Sequence, residues 1–119
     1  MYRVVNRTRG TVLGFRVRSA RNFRSRLAGL LGTHGLVRGD GLWIVPCRCV
    51  HTIGMRYPID VAFVDGRGAV VGVSENLPPN RIGRFAPDAR GALELPAGTL
   101  SETGTAIGDT LLFEEPGLP

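Results

Sequence analysis

One stretch of the sequence decides the fold class: residues 57–73, which read YPIDVAFVDGRGAVVGV. Apolar side chains alternate between two faces over 59–64, and Asp60 is the one charged residue within that run. The Asp and glycines of 65–68 predict a tight turn, after which the apolar run resumes over 69–73. A period of two on both sides of a glycine turn is typical of an antiparallel hairpin. The sequence therefore predicts two paired strands here.

Further short strands are predicted on both sides of this hairpin. The chain carries 17 glycines and eight prolines, which interrupt regular structure often. These predicted strands are Tyr2–Val5, Thr11–Val17, Gly41–Val45, Cys49–Ile53, Gly91–Leu95 and Thr110–Glu114. Many short strands separated by turns indicate a mostly β fold, a compact barrel or sandwich, rather than alternating strands and helices.

One amphipathic helix is predicted over about residues 22–31, because Phe23, Leu27, Leu30 and Leu31 recur at the spacing of one helical face. A single short helical turn is predicted near 98–103. A length of 119 residues fits one domain. We place that domain at 1–114 and expect 115–119 to be a flexible C-terminal tail.

The charge is unevenly distributed along the chain. All 15 basic residues are arginine, which excludes P-loop and Schiff-base lysine chemistry. Residues 1–39 hold nine arginines and no acid. This basic third either binds an anionic partner or packs against the more acidic remainder of the chain. No nucleic-acid-binding motif accompanies the charge, which argues against a nucleic-acid partner.

The sequence predicts no membrane span and a cytoplasmic location. No apolar run approaches the roughly 18 residues that a membrane-spanning helix needs. The first residues, MYRVVNR, lack the apolar core of a signal peptide.

The densest group of chemically reactive side chains is Cys47, Cys49 and His51, which alternate along one predicted strand. Thiolates and imidazole are ligands for zinc, so these residues are a candidate metal site. The alternative is a packed strand face with two inert thiols. If the connection after this strand centres on Arg56, Cys49 lies opposite Phe63 on the core side.

Asp60 lies within an otherwise apolar strand, where a carboxylate must be paired or hydrogen-bonded. It is either an acceptor in a binding cleft near His51, Thr52 and Arg56, or a structural group that accepts backbone N–H bonds. Trp43, the one tryptophan, either packs in the core or forms the wall of a pocket.

Several runs, in this order, resemble the family called domain of unknown function 192, whose members are uncharacterised small bacterial and archaeal proteins. The similar runs are RLAGLL at 26–31, GLWIVPC at 41–47, VHTIGMRYPIDVAFVD at 50–65, ALELPAG at 92–98 and IGD at 107–109. The resemblance covers roughly residues 10–114. It implies a compact β-barrel-like domain with a short helix packed on it, and it implies no function.

The resemblance also bears on individual residues. His51 occupies a position where many relatives carry tryptophan, as in a branch with the pattern Cys-x-x-x-His-Thr. Asp60 and Glu94 match family positions and are carried over as site or structural residues.

We expect a small non-enzymatic binding or accessory module without a cofactor, whose partner is an unknown protein or small ligand. The candidate binding residues are His51, Thr52, Arg56, Asp60, Trp43 and Glu94. The alternative is a zinc- or thiol-dependent activity at Cys47, Cys49 and His51. A weaker alternative is nucleic-acid binding through the basic N-terminal third. No catalytic residue is assigned.

Overall fold

A computed structural model describes residues 1–20 and 36–115. Its strands are β1 (Tyr2–Asn6), β2 (Thr11–Ala20), β3 (Asp40–Ile44), β4 (Cys49–His51), β5 (Ile59–Val64), β6 (Val70–Leu77), β7 (Ile82–Phe85), β8 (Gly91–Pro96) and β9 (Leu111–Glu114). Helix α1 spans Thr99–Thr103. The predicted mostly β fold is confirmed, as is the short helical turn near 98–103. The amphipathic helix predicted over 22–31 lies outside the described residues.

Seven of these strands form one curled sheet in the order β6-β5-β8-β3-β2-β1-β9. Strands β2 and β3 pair in parallel, and the other neighbours in this sheet pair antiparallel. The two outer strands approach each other at one end, where Ala69 and Thr110 form a β-bridge. There the Leu111 N–H donates to the Gly68 carbonyl at 2.7 Å. This contact curls the sheet into a half-barrel.

Apolar side chains pack on both faces of the sheet, in two clusters. On β5, Ile59, Val61 and Phe63 belong to one cluster, while Ala62 and Val64 belong to the other. All six residues of β5 are buried because β6 and β8 flank the strand and both faces are covered. Each of the larger side chains contributes roughly 1.5–3 kcal/mol by leaving water. The strand quoted above therefore lies at the centre of the fold.

Strands β4 and β7 form a separate two-stranded ribbon. The predicted pairing of Cys49 with Phe63 is wrong, because β4 pairs with β7 and Cys49 lies opposite Phe85. Strand β5 pairs instead with β6 and β8, so both of its edges are already hydrogen-bonded. Strand β7 is not among the strands that the sequence predicted.

A buried polar network joins the β1–β2 turn to the segment before β9. Asp109 Oδ2 accepts hydrogen bonds from the Asn6 amide at 3.0 Å, the Ala106 N–H at 3.0 Å and Arg9 Nε at 3.2 Å. The Asn6 hydrogen bond is the main reason that the pKa of Asp109 lies below its ordinary value of 3.8. The Ala106 N–H and the Arg9 guanidinium lower this pKa further, whereas burial opposes them.

Candidate functional site

The carboxylate of Asp60 is buried on β5 and accepts three backbone hydrogen bonds. Its Oδ1 accepts from the Asn76 N–H at 2.9 Å. Its Oδ2 accepts from the N–H groups of Gly98 at 3.1 Å and Leu100 at 2.9 Å. Gly98 is the N-cap of α1, so Asp60 caps this helix from a different element. The geometry is that of the structural role considered for Asp60, a carboxylate that fixes the surrounding backbone.

Thr52 is also buried and also bonds to backbone. Its hydroxyl donates to the Pro78 carbonyl and accepts from the Arg81 N–H, the latter at 2.9 Å. Its own N–H donates to the Arg81 carbonyl at 2.8 Å, and its carbonyl accepts from the Asn80 N–H at 2.9 Å. These bonds fasten the end of β4 to the loop before β7. Thr52 therefore holds the ribbon in place.

The structure does not gather the predicted cleft residues around one opening. Asp60 bonds to α1 and the end of β6, whereas Thr52 bonds to the loop that precedes β7. His51 lies half-buried on the ribbon, where its Nδ1 accepts from the Ile53 N–H at 3.3 Å. Arg56 is exposed in the connection before β5.

Trp43 and Glu94 lie on different faces of the sheet. The Trp43 ring packs against Phe113, with centroids 4.6 Å apart. It fits against β8 because residue 91 is glycine: a Cβ there would lie 2.4 Å from the ring. Glu94 is fully buried, opposite Leu42 of β3. Trp43 thus belongs to an aromatic cluster of the core.

The two cysteines differ in their surroundings: Cys49 lies on the exposed side of the ribbon, whereas Cys47 precedes β4 and packs against the first core cluster. Cys49 is exposed and Cys47 is half-buried, and no disulfide joins them. The Cys47 thiol donates to the Cys49 carbonyl at 3.2 Å, and the Cys49 thiol contacts the Gly83 carbonyl at 3.7 Å. The packed-core alternative for Cys49 is therefore wrong, because its strand pairs with β7 and not with β5.

The predicted metal ligands are not assembled as a coordination shell. Within residues 1–20 and 36–115, no group of three or more His, Cys, Asp or Glu side chains is arranged to hold a metal ion. The two thiols instead bond to carbonyls on different strands.

An open groove of about 640 Å³ lies beside Cys47. Its lining residues are Pro46, Cys47, Arg48, Gly66, Asp88, Ala89 and Arg90. The segment 88–90 reaches this place because the Cys47 N–H donates to the Arg90 carbonyl at 3.0 Å. Sequence reasoning missed Arg48, Asp88 and Arg90 as candidate site residues. No sequence signal could have found them, because only the tertiary fold brings 46–48 and 88–90 together.

The outward face of the ribbon is apolar, and we call it the ribbon patch: Cys49, His51, Ile53, Ile82 and Phe85. The side chains of Ile82 and Phe85 are 75% and 64% exposed. Strict alternation would place these two on opposite faces, but the register of β4 against β7 shifts between Cys49 and His51. Between the two paired positions, β4 advances by two residues, from Cys49 to His51, whereas β7 advances by three, from Ile82 to Phe85. The extra residue on β7 is a β-bulge, and it brings Ile82 and Phe85 onto the same side of the ribbon.

Most arginines of the basic N-terminal third that the structure describes are paired with acids. The ion pairs are Arg3–Glu114, Arg9–Asp109, Arg16–Asp40 and Arg38–Glu102, with N–O distances of 3.3, 3.2, 2.7 and 2.6 Å. The acids all lie after residue 39. The described part of the basic third therefore pairs with the more acidic remainder, which agrees with the second of the two alternatives.

The family model for domain of unknown function 192, described as an Uncharacterized ACR, matches residues 4–113. The chain belongs to this family. The predicted resemblance is thereby confirmed, and the matched range includes both the groove and the ribbon patch. None of the curated proteins matches the chain.

Two solved structures share the fold of this family member. One is a protein of unknown function from Novosphingobium aromaticivorans DSM 12444, with a TM-score of 0.80 and 23% identity over 94% of this chain and 84% of that one. The other, from Sinorhizobium meliloti 1021, has been proposed to be a transcription regulator. Its TM-score is 0.78, with 22% identity over 94% of this chain and 91% of that one. At these identities the likeness establishes the fold alone.

The family membership leaves the function to be argued from the chain's own residues. The described residues contain no helix that is long and apolar enough to cross a membrane. The family-matched Asp60 holds backbone, and the predicted cleft is not assembled. Among the described residues, the groove beside Cys47 and the ribbon patch both lie at the surface.

Proposed function

We propose that this protein is a non-enzymatic binding module that recognises an acidic partner protein through the ribbon patch. The observation that carries the proposal is the exposure of Ile82 and Phe85 on the outward face of β4 and β7. The proposal keeps the predicted class of function but moves the binding surface away from Asp60. Of the predicted cleft residues, His51 belongs to the proposed surface and Arg56 flanks it.

The apolar side chains of the patch are concentrated on one short ribbon. Single exposed apolar residues are ordinary on protein surfaces, whereas several together mark interaction sites. Ile53 is 53% exposed in the turn that follows β4, and Ile82 and Phe85 are exposed on the strand that pairs with β4. Aromatic and aliphatic side chains that leave water on binding supply most of the affinity at protein interfaces.

Charge around the patch selects the kind of partner. Segments 49–58 and 77–87 contain Arg56, Arg81 and Arg84 and no Asp or Glu. All three arginines are exposed. The Arg84 side chain extends toward Gly72 of β6, so Arg56 and Arg81 supply the positive charge assigned to the patch. Positive charge there complements an acidic partner, and it increases the rate of association with such a partner.

The composition of the patch favours a protein over a nucleic acid. Single-stranded nucleic acids stack their bases on several aromatic side chains, and the patch offers one, Phe85. Its other large side chains, Ile53 and Ile82, are aliphatic and suit the apolar side chains of a polypeptide. The proposed regulator role of the Sinorhizobium meliloti protein is a reason to include an oligonucleotide in the test.

The test is a fluorescence-polarisation titration with a short labelled peptide that alternates Glu with Leu. We expect saturable binding that weakens with added salt, and we expect the double variant Ile82→Ser/Phe85→Ser to weaken it about tenfold or more. The matched control is Leu112→Ser, since Leu112 is 41% exposed on β9, away from the ribbon. A peptide in which Lys replaces Glu should not bind.

Two results would overturn the proposal. One is equal affinity of the wild type and the Ile82→Ser/Phe85→Ser variant for the acidic peptide, or no binding by either. The other is tighter binding of a labelled oligothymidine that the double variant loses, which would assign the patch to nucleic acid.

A further inference from the structure

We infer that the groove beside Cys47 is a second binding site, for a small organic anion that also carries a hydroxyl or ammonium group. The carboxylate or phosphate of this ligand would lie between Arg48 and Arg90, and its hydrogen-bond donor would face Asp88. The groove shares no residue with the ribbon patch, so the inference is independent of the proposed function.

The size of the groove suits a small molecule. Its volume of about 640 Å³ lies within the range of roughly 300–1,000 Å³ that is typical of ligand pockets. The lining comes from three separate parts of the chain, namely 46–48, the β5–β6 turn at Gly66, and 88–90. Three distant segments thus converge on one concave surface.

Backbone hydrogen bonds hold the walls of the groove in place. The Arg90 N–H donates to the Val64 carbonyl at 2.8 Å, and its carbonyl accepts from the Cys47 N–H at 3.0 Å. The Arg48 carbonyl accepts from the Ala86 N–H at 2.8 Å. Both arginines are thus attached to the fold through their main chains, so little backbone ordering is needed when an anion binds.

Arg48, Asp88 and Arg90 form none of the ion pairs found within the described residues. Arg48 and Arg90 are exposed, and neither takes part in the ion pairs of residues 1–20 and 36–115. Guanidinium groups bind carboxylate and phosphate oxygens through paired N–H bonds. Two arginines from separate segments of the lining therefore point to an anion.

The carboxylate of Asp88 restricts which anions fit the groove. A carboxylate in the same groove as two arginines repels a bare polyanion and accepts hydrogen bonds from hydroxyl or ammonium groups. Hydroxy acids, amino acids and sugar phosphates each combine an anionic group with such a donor. Both carboxylate and phosphate ligands share this chemistry, so both are tested.

The groove carries its own reporter of occupancy, the thiol of Cys47. Cys47 lines the groove and is half-buried. In a Cys49→Ser background it is the one remaining cysteine, so the rate of its alkylation by iodoacetamide reports access to the groove. A bound ligand should slow that rate.

The experiment is calorimetric titration of the full chain with malate and with glycerol 3-phosphate, paired with the alkylation assay. We expect at least one of the two to bind with one-to-one stoichiometry and to protect Cys47. The ligand that binds separates the carboxylate and phosphate alternatives. The Arg90→Gln variant should weaken this binding about tenfold or more. The matched control is Arg7→Gln, which removes an exposed arginine from the β1–β2 turn.

A second variant tests the role of Asp88. Succinate lacks the hydroxyl of malate, as propyl phosphate lacks those of glycerol 3-phosphate. The wild type should prefer the hydroxylated member of each pair, and Asp88→Asn should reduce that preference. Absence of binding by both probes, or equal binding by wild type and Arg90→Gln when circular dichroism shows both folded, would overturn the inference.

Discussion

Replacing Asp60 by asparagine separates the two roles that the sequence left open for this residue. The substitution preserves the shape of the side chain and removes its charge and one of its two acceptor oxygens. We expect the free energy of unfolding to fall by about 3–5 kcal/mol, because the wild-type carboxylate uses both oxygens to accept backbone hydrogen bonds.

The magnitude follows from the three donors. An asparagine can direct its oxygen at Gly98 and Leu100 and keep those two bonds, but its amide then faces the Asn76 N–H, another donor. The lost charge-assisted bond amounts to about 1.5–3 kcal/mol, and the donor left unsatisfied costs about 1–3 kcal/mol. For a domain of this size such a loss lowers the melting temperature by roughly 10–20 °C.

Urea unfolding followed by circular dichroism measures this change, and Asp65→Asn is the matched control. Asp65 accepts from the Arg67 N–H at 2.8 Å and the Ala69 N–H at 2.9 Å, and both bonds go to the same oxygen, Oδ1. An asparagine can reproduce that pattern, so we expect a loss below about 1 kcal/mol. Equal and small losses for Asp60→Asn and Asp65→Asn would refute the structural role of Asp60 and return it to the candidate binding residues.

Three further predictions concern other polar groups. Thr52→Val should destabilise the fold by about 2 kcal/mol in urea, because it leaves the Arg81 N–H without its hydroxyl acceptor. The lowered pKa of Asp109 stabilises the fold above pH 3.8, and this stabilisation is lost as the pH falls below that value. The stability difference between wild type and Asp109→Asn should therefore shrink on acidification. Equilibrium dialysis should find only weak zinc binding, little changed by Cys49→Ser, because the two thiols bond to different strands.

Each of these predictions has an outcome that contradicts it. A stability loss for Thr52→Val below about 0.5 kcal/mol, the range of ordinary surface substitutions, would show that the ribbon does not depend on the Thr52 hydroxyl. An Asp109→Asn difference that stays constant down to pH 2 would contradict the lowered pKa. Binding of one zinc ion per chain by the wild type but not by Cys49→Ser would support the metal site predicted at Cys47, Cys49 and His51. Glu75→Gln, on the exposed end of β6, serves as the control for the pH experiment.

Local pattern was enough to predict the central hairpin and the position of α1. The apolar alternation of 59–64 and the glycine turn after it correspond to β5 and the start of β6. The end of β6 at Leu77 was missed, because Ser74, Glu75 and Asn76 are polar and interrupt the apolar pattern. Alternation of apolar and polar residues identifies the part of a strand that has an apolar face, and it does not detect a strand end made of polar residues.

The sequence by itself determined the class of fold, the buried position of Asp60 and the imbalance of charge. These depend on residue type and on spacing over a few neighbours, which short-range geometry converts directly into strands, turns and faces. Which strand pairs with β4, and where Cys49 therefore lies, only the tertiary structure decided. Pairing partners and the groove between 46–48 and 88–90 depend on contacts between distant segments, and a bulge of one residue reverses the face of every side chain beyond it.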